Sequence, residues 1–210
     1  DNKSIIKFVL NPEPTVVKTF HTINYEGTNG WEVVSITSDE TGFDNLRKLV
    51  SKAHLSDSGN DLPHITSDDL KTHASGLICL TGGREGPLNK LAQEKRKEDA
   101  ASRLKMLKGF FKDRLYVELQ RHGLPHEIEA EKTLINWAYA KNLPLVATNE
   151  PYFLDPELHK AHDALLAMSE GSYVLETDRR KVSDQHYFKS EEQMLDIFKD
   201  IPEAIENTID

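Results

Sequence analysis

The chain alternates short apolar runs with longer stretches in which apolar residues recur every three or four positions. Short apolar runs between turn residues predict strands, and the longer spacing predicts amphipathic helices. The predicted strands are 31–36, 77–81, 115–119 and 143–148, with a strand-like 187–189; the predicted helices are 42–54, 90–111, 127–141, 156–168 and 190–198, and a last short helix begins near Pro202. This alternation predicts βα units and a parallel sheet or barrel.

The pattern also predicts which side chains of two helices face the core. These are Phe43, Leu46, Leu49 and Val50 in the first helix, and Ile128, Leu134, Ile135 and Ala138 in the helix at 127–141. Ser190 and Gln193 have the spacing of a capping box, which predicts a helix start at that point.

Residues 1–30 form an unplaced segment of β-like, turn-rich sequence, and residues 31–210 carry the βα pattern. One alternative is that residues 1–30 are a separate β element or belong to a different context. A barrel cut before its first strands would expose unpaired edges, which tend to pair with another chain.

Composition and charge narrow the function classes. The chain has 38% hydrophobic residues among 210, enough for one domain with a sizeable core. Its formal charge of −9 argues against a surface that grips a phosphate backbone, and the basic residues of 90–112 are interpreted as a solvated helix face. No run approaches the roughly 18 apolar residues of a membrane span, so a cytoplasmic protein without membrane contact is expected. Cys79 is the only cysteine, which excludes internal disulfides and favours core packing.

Three motifs could carry chemistry, and each also has a structural interpretation. His122 follows a predicted strand and could reach the rim of the sheet, although no second histidine pairs with it in the sequence. His159, His162 and Asp163 have a helical spacing that can bind zinc, but helix surfaces produce this spacing by chance. The glycines at 82, 83 and 86 lack the ending of a phosphate-binding loop, so a tight turn is favoured.

Six stretches, in order and in register, carry a resemblance to a known family. They are residues 41–54 (TGFDNLRKLVSKAH), 76–83 (GLICLTGG), 116–123 (YVELQRHG), 143–150 (LPLVATNE), 161–166 (AHDALL) and 200–208 (DIPEAIENT). Together they resemble the polymerase-and-histidinol-phosphatase (PHP) domain of bacterial DNA polymerase III α subunits, over residues 31–210. The resemblance implies an α/β fold, a distorted (βα)7 barrel whose N-terminal strands are missing or altered in this chain. Its metal ligands would lie at the carboxyl ends of the strands, where a parallel barrel collects its chemistry.

The chain departs from the family pattern at every metal position that can be aligned. Glu150 and Tyr152 stand where the family has Asp-x-His, Gly83 stands in place of a cysteine, and Glu32 in place of a histidine. The opening His-x-His motif is missing. Tyrosine is a poor substitute for imidazole at neutral pH, although Glu32 and Glu150 could hold a hard cation weakly. The resemblance therefore implies a degenerate metal site and no cofactor in this segment.

The function implied by the resemblance is that of a scaffold. The parent protein would be the replicative DNA-directed DNA polymerase, a nucleotidyltransferase that uses Mg²⁺ and contacts DNA through its other domains. This segment would pack against the polymerase thumb and dock the proofreading exonuclease subunit and other polymerase III subunits. The alternative is a residual metal-dependent phosphoesterase that uses Glu32, His122 and Glu150.

Overall fold

Helices and strands alternate along the chain in the computed structural model, which describes residues 40–55, 63–83 and 86–208. The predicted strand at 31–36, the segment 1–30 and Glu32 lie outside the described residues. The helices are α1 (Glu40–Leu55), α2 (Ser67–Thr72), α3 (Pro87–Gln93), α4 (Lys97–Phe111), α5 (Pro125–Lys141), α6 (His159–Ser169), α7 (Glu191–Ile197) and α8 (Glu203–Glu206); the strands are β1 (Cys79–Leu80), β2 (Leu115–Gln120) and β3 (Leu145–Thr148).

The three strands form one parallel sheet in the order β1-β2-β3. Cys79 pairs with Leu115 at one side of β2, and Val117 pairs with Leu145 at the other. Helices α3 and α4 connect β1 to β2, and α5 connects β2 to β3. Because all three strands run the same way, their carboxyl ends meet at one rim of the sheet.

The core lies between this sheet and the helices that cover it. Its fully buried members include Ala100, Leu104 and Phe111 of α4, Leu115, Val117 and Leu119 of β2, Ala130, Leu134 and Ala138 of α5, Leu145 and Ala147 of β3, and Phe198 and Ala204 near the C-terminus. Strand β2 is buried on both faces, which is the usual state of a strand in a parallel sheet. Cys79 is buried, as predicted.

The prediction of one helix over 90–111 is wrong, because α3 ends at Gln93 and α4 begins at Lys97. Lys95 has a φ of 58°, which an α-helix cannot continue. At the break, the Arg96 guanidinium donates to Glu94 and Asp99, and the Arg96 N–H donates to Leu91 O at 2.9 Å. No glycine or proline marks this break in the sequence.

Two helix faces also differ from the prediction. Ile128 is 69% exposed because it lies off the buried stripe of α5, whose apolar members are Ala130, Leu134 and Ala138. In α1, Leu49 is buried as predicted, whereas Phe43 and Val50 are about half exposed. The capping box of Ser190 and Gln193 is confirmed: each side chain accepts a hydrogen bond from the other residue's backbone N–H.

The fold class is mixed α/β with a small parallel sheet, and the seven-stranded barrel stays a prediction. The strand-like 187–189 contributes an isolated parallel bridge between Phe153, in the segment after β3, and Tyr187. Within the described ranges, no helix has the length and apolar character needed to span a membrane.

Candidate functional site

The candidate site is the rim at the carboxyl ends of the three strands. Gly82 and Gly83 follow β1, His122 lies two residues after β2, and Glu150 lies two residues after β3. The parallel sheet therefore brings Gly83, His122 and Glu150, all singled out from the sequence, to one edge of the molecule. Glu32 lies outside the described residues.

Glu118 is a buried carboxyl group in the middle of β2, and it is only 7% exposed. Its Oε1 accepts hydrogen bonds from the Thr148 hydroxyl and from Gln120 Nε2, the latter at 3.4 Å. Burial raises the pKa of Glu118, and the neighbouring charge of Glu150 raises it further, while the hydrogen bond from Thr148 partly offsets them. The neutral carboxylic acid form of Glu118 is therefore more favoured in this site than it would be in water.

Gln120 fills the space in front of Gly83. A Cβ atom at position 83 would lie 1.9 Å from Gln120 Oε1, far inside van der Waals contact. The same amide donates from Nε2 to Thr148 Oγ1 at 3.2 Å, so it links the ends of β2 and β3. The volume that a side chain at position 83 would enter is therefore occupied by an amide from the neighbouring strand.

His122 is buried at 2% exposure and is held from both sides of its ring. Nδ1 lies 2.8 Å from Glu127 Oε1, and the backbone N–H of His122 donates to Glu127 Oε2 at 2.7 Å. Burial raises the pKa of Glu127, but the hydrogen bonds from His122 outweigh this effect and leave the pKa below its usual value. An ionised Glu127 only accepts, so the Nδ1 atom carries a hydrogen.

The second ring nitrogen of His122 faces β3. Nε2 lies 3.2 Å from Asn149 Oδ1 and 3.4 Å from the backbone N of Glu150. It donates to the amide oxygen when protonated and accepts from the backbone N–H when neutral. In both states the two nitrogens of His122 have partners within the protein.

A stack of rings covers His122. The His186 ring lies parallel to it at a centroid distance of 3.9 Å, and Tyr152 continues the stack at 5.4 Å from His186. Burial, together with the charge of His122, lowers the pKa of His186 from 6.5 to about 4. His186 is therefore neutral at physiological pH. Ser183 lies 3.0 Å from His186 Nδ1 and ties the same segment to the His122 carbonyl oxygen at 3.0 Å.

Glu150 and Tyr152, the other two family metal positions, contact each other. The Tyr152 hydroxyl donates to Glu150 Oε1 at 2.6 Å. Beside them Lys189 is 7% exposed, and its ammonium group donates to Asn149 Oδ1 at 3.4 Å and to the Gln185 carbonyl. Burial lowers the pKa of Lys189. Polar groups here are paired with each other rather than directed at a common point.

These residues do not fit the metal cluster that the family resemblance implies. Position 83 has no donor and its space is filled, His122 uses both ring nitrogens, and a phenol at 152 is a weak ligand at neutral pH. Across 40–55, 63–83 and 86–208, no three His, Cys, Asp or Glu side chains are grouped so that they could hold one metal ion. The degenerate metal site remains a prediction, since Glu32 lies outside these ranges.

The helical group His159, His162 and Asp163 does not converge on one point. The His159 Nε2 atom donates to Val182 O at 3.0 Å, and the His162 ring stacks on Tyr152 at 5.5 Å. Asp163 accepts both arms of the Arg179 guanidinium at 2.7 and 2.6 Å. Each of the three side chains has a separate structural partner.

Several residues of the rim were not found from the sequence. Glu118 carries a readable signal, because a carboxylate inside the apolar run of β2 must be paired when it is buried. Glu127 carries another, since it lies at the third position of a helix that begins at Pro125. Gln120, His186 and Lys189 give no local signal, and only the fold brings them to the rim.

Comparison with known proteins decides the family. The chain matches the PHP domain family over residues 15–122. This chain belongs to the PHP domain family. It is 43% identical over 175 residues to the DNA polymerase III subunit alpha of Caulobacter vibrioides, covering 83% of this chain and 15% of that protein. It is 41% identical over 187 residues to the same subunit of Rickettsia bellii, covering 89% of this chain and 16% of the relative.

A more distant relative extends the match along the chain. The DNA polymerase III subunit alpha of Borreliella burgdorferi is 30% identical over 211 residues, which cover 99% of this PHP chain and 18% of that subunit. The chain thus spans about a sixth of the length of these curated relatives. The recognition of a PHP domain of the DNA polymerase III α type is confirmed.

Proposed function

We propose that this PHP chain is a scaffold and docking segment of a replicative DNA polymerase III α subunit. The parent protein would extend DNA from deoxynucleoside triphosphates with Mg²⁺ held in its other domains. The segment would pack against the polymerase thumb and dock the proofreading exonuclease subunit. The relatives named above support the parentage, because each is a DNA polymerase III α subunit.

One observation carries the scaffold role: the rim where a catalytic cluster would lie is closed by internal hydrogen bonds. The amide of Gln120 fills the space before Gly83 and bonds to Thr148, and His122 is bonded on both ring nitrogens. Groups that satisfy each other in this way stabilise three strand ends, and they leave few lone pairs for a metal ion or a phosphate. A structural task explains such a rim better than a catalytic one.

The docking role is tested by hydrogen–deuterium exchange on the full-length α subunit, with and without the proofreading exonuclease subunit. We expect slowed exchange on the surface of residues 40–208 when the exonuclease is added, at unchanged exchange in the buried β2. A subunit that binds the exonuclease with protection only outside residues 1–210 would contradict the proposal.

The scaffold role is tested separately by phosphoesterase assays on this chain with single-stranded DNA and a chromogenic phosphate monoester, in Zn²⁺ or Mn²⁺. We expect equal background rates for the wild type and for Glu150→Gln. A rate above background that Glu150→Gln removes would establish the phosphoesterase instead.

A further inference from the structure

Helix α6 leaves a row of apolar side chains exposed to solvent, and its inward side combines the buried Ala167 with polar groups. Its inward side carries His159, which donates to Val182 O, and Asp163, which is paired with Arg179. Its outward side carries four apolar residues: Leu158, directly before the helix, is 43% exposed, Leu165 60% and Met168 67%, and Ala161 is also exposed. These four residues are called the α6 outer face.

This arrangement departs from the usual pattern of a surface helix. A helix at the edge of a domain usually turns its apolar stripe to the core and its charged residues to water. The α6 outer face also has the three-four-three spacing, at positions 158, 161, 165 and 168, with which two helices pack at about 20°. Single exposed apolar residues are normal, whereas a contiguous stripe marks a contact surface.

The face is held rigid before any partner binds. Arg179 is 1% exposed in its side chain; it bonds both oxygens of Asp163 and also donates to Val174 O at 2.9 Å, which fixes the loop after α6. Gly171, with a φ of 65°, ends the helix, and the Ser172 N–H donates to Ala167 O at 2.9 Å. The Ser172 bond is the 6→1 hydrogen bond of a Schellman motif, a common way for a helix to end. A preordered face loses little entropy on docking.

We propose that the α6 outer face binds an amphipathic helix contributed by the remaining part of the same polymerase polypeptide. This inference rests on the proposed function, because it needs the rest of an α subunit. The relatives are about six times longer than this chain, so a large amount of attached polypeptide is available to cover the face. When the partner helix belongs to the same chain, this attachment raises its effective concentration at the α6 outer face.

The small size of the face argues against a second copy or a separate subunit as its main occupant. Stable contacts between free proteins bury about 800 Å² per partner. The stripe on α6 consists of one side of a helix of 11 residues. A contact of this kind is sufficient when the partner is tethered, because the tether removes most of the association cost.

The test is site-specific photo-crosslinking in the full-length α subunit. The photo-crosslinking amino acid p-benzoylphenylalanine replaces Leu165, and a matched subunit carries it at Ile128, an exposed apolar residue on α5. After irradiation, mass spectrometry maps the products. We expect the Leu165 probe to give an intramolecular crosslink to a helical segment outside residues 1–210, and the Ile128 probe to give none.

Three results would overturn the inference: crosslinks from Leu165 only to a second copy, only to the exonuclease subunit, or to no protein segment at all. Exonuclease retention on the unmodified subunit, measured in the same preparations, separates the two proposals. An intramolecular crosslink from a subunit that fails to retain the exonuclease would support the α6 contact and contradict the docking function. Retention without the crosslink would do the reverse.

Discussion

The Gln120 amide occupies the space in front of Gly83, at the ends of β1 and β2. The effect of this packing on stability can be measured by placing a side chain at position 83. Gly83→Ala would place a Cβ atom 1.9 Å from Gln120 Oε1, so the amide must move and lose its bond to Thr148. We expect Gly83→Ala to lower the free energy of unfolding by about 1 kcal/mol, measured by urea denaturation, because the amide at the end of the Gln120 side chain can move aside but loses its hydrogen bond.

Two further variants sharpen this experiment. Adding Gln120→Ala to Gly83→Ala should recover part of the loss, since the clash is then removed, with a coupling energy of about 1 kcal/mol. Gly109→Ala is the matched control, because no atom lies within 4 Å of a Cβ built there on α4, and alanine favours a helix. A Gly83→Ala protein as stable as the wild type would show that the volume is not closed.

His186 predicts a dependence of stability on pH. Its folded pKa is about 4, below the unfolded value of 6.5, because burial and His122 disfavour its charged form. The unfolded chain therefore binds the proton more tightly, so this contribution is complete above pH 6.5 and is lost as the pH falls toward 4. The full effect is at most about 3 kcal/mol, at 1.36 kcal/mol for each pH unit of separation.

The measurement is the free energy of unfolding between pH 6.5 and 5, above the range in which most carboxylates titrate. His186→Phe is the comparison variant, because it keeps an aromatic ring in the stack on His122. The wild type should lose stability on acidification faster than His186→Phe. Parallel curves for the two proteins would contradict the assigned role of His186.

At the scale of elements, Arg121 connects the end of β2 to the C-terminal helices. It donates to Glu131 of α5 at 2.7 and 2.8 Å and to Asp200 at 2.6 and 2.9 Å. Its guanidinium also lies 4.7 Å from the centre of the Phe198 ring and donates to Ile197 O. The hydrogen bonds to Asp200 and Glu131 raise the pKa of Arg121, which stays charged.

Arg121→Lys should therefore destabilise the chain by about 1–3 kcal/mol. One ammonium group cannot replace the paired hydrogen bonds of the guanidinium to two carboxylates or its contact with the Phe198 ring. Hydrogen exchange in α7 and α8 should rise at the same time. Arg96→Lys is the matched control: its contacts to Glu94 and Asp99 are more than half exposed, and such pairs contribute little. Equal losses for the two variants would refute the connecting role of Arg121.

The elements were predictable from the sequence where local pattern decides them. The apolar runs at β2 and β3 and the spacing of α5 and α7 depend on nearby residues alone. The break at Lys95 was missed, because a lysine with positive φ has no sequence signature. Arg121 and Asp200 are 79 positions apart, and no local pattern pairs them. For the same reason the filling of the Gly83 space by Gln120 depends on strand register, which only the folded sheet defines.

At the scale of the whole molecule, the part of this PHP chain that the structure describes combines a three-stranded parallel sheet with a polar rim and an outward apolar helix face. Most polar groups of the rim are hydrogen-bonded to each other, although Gln120 Oε1 is buried without a partner among the described residues, and the α6 outer face is exposed to solvent. Both surfaces support the proposed role of this segment in a larger assembly. The state of the family metal positions Gly83, Glu150 and Tyr152 distinguishes this proposed role from catalysis.

Metal content tests that central claim most directly. This chain is purified, dialysed against buffer without metal, and measured by plasma mass spectrometry before and after incubation with Zn²⁺ or Mn²⁺ and a second dialysis. We predict less than one retained ion per chain, and the same value for Glu150→Gln. Two or more retained ions per chain, reduced by Glu150→Gln, would contradict the degenerate site and make a metal-dependent phosphoesterase the leading explanation.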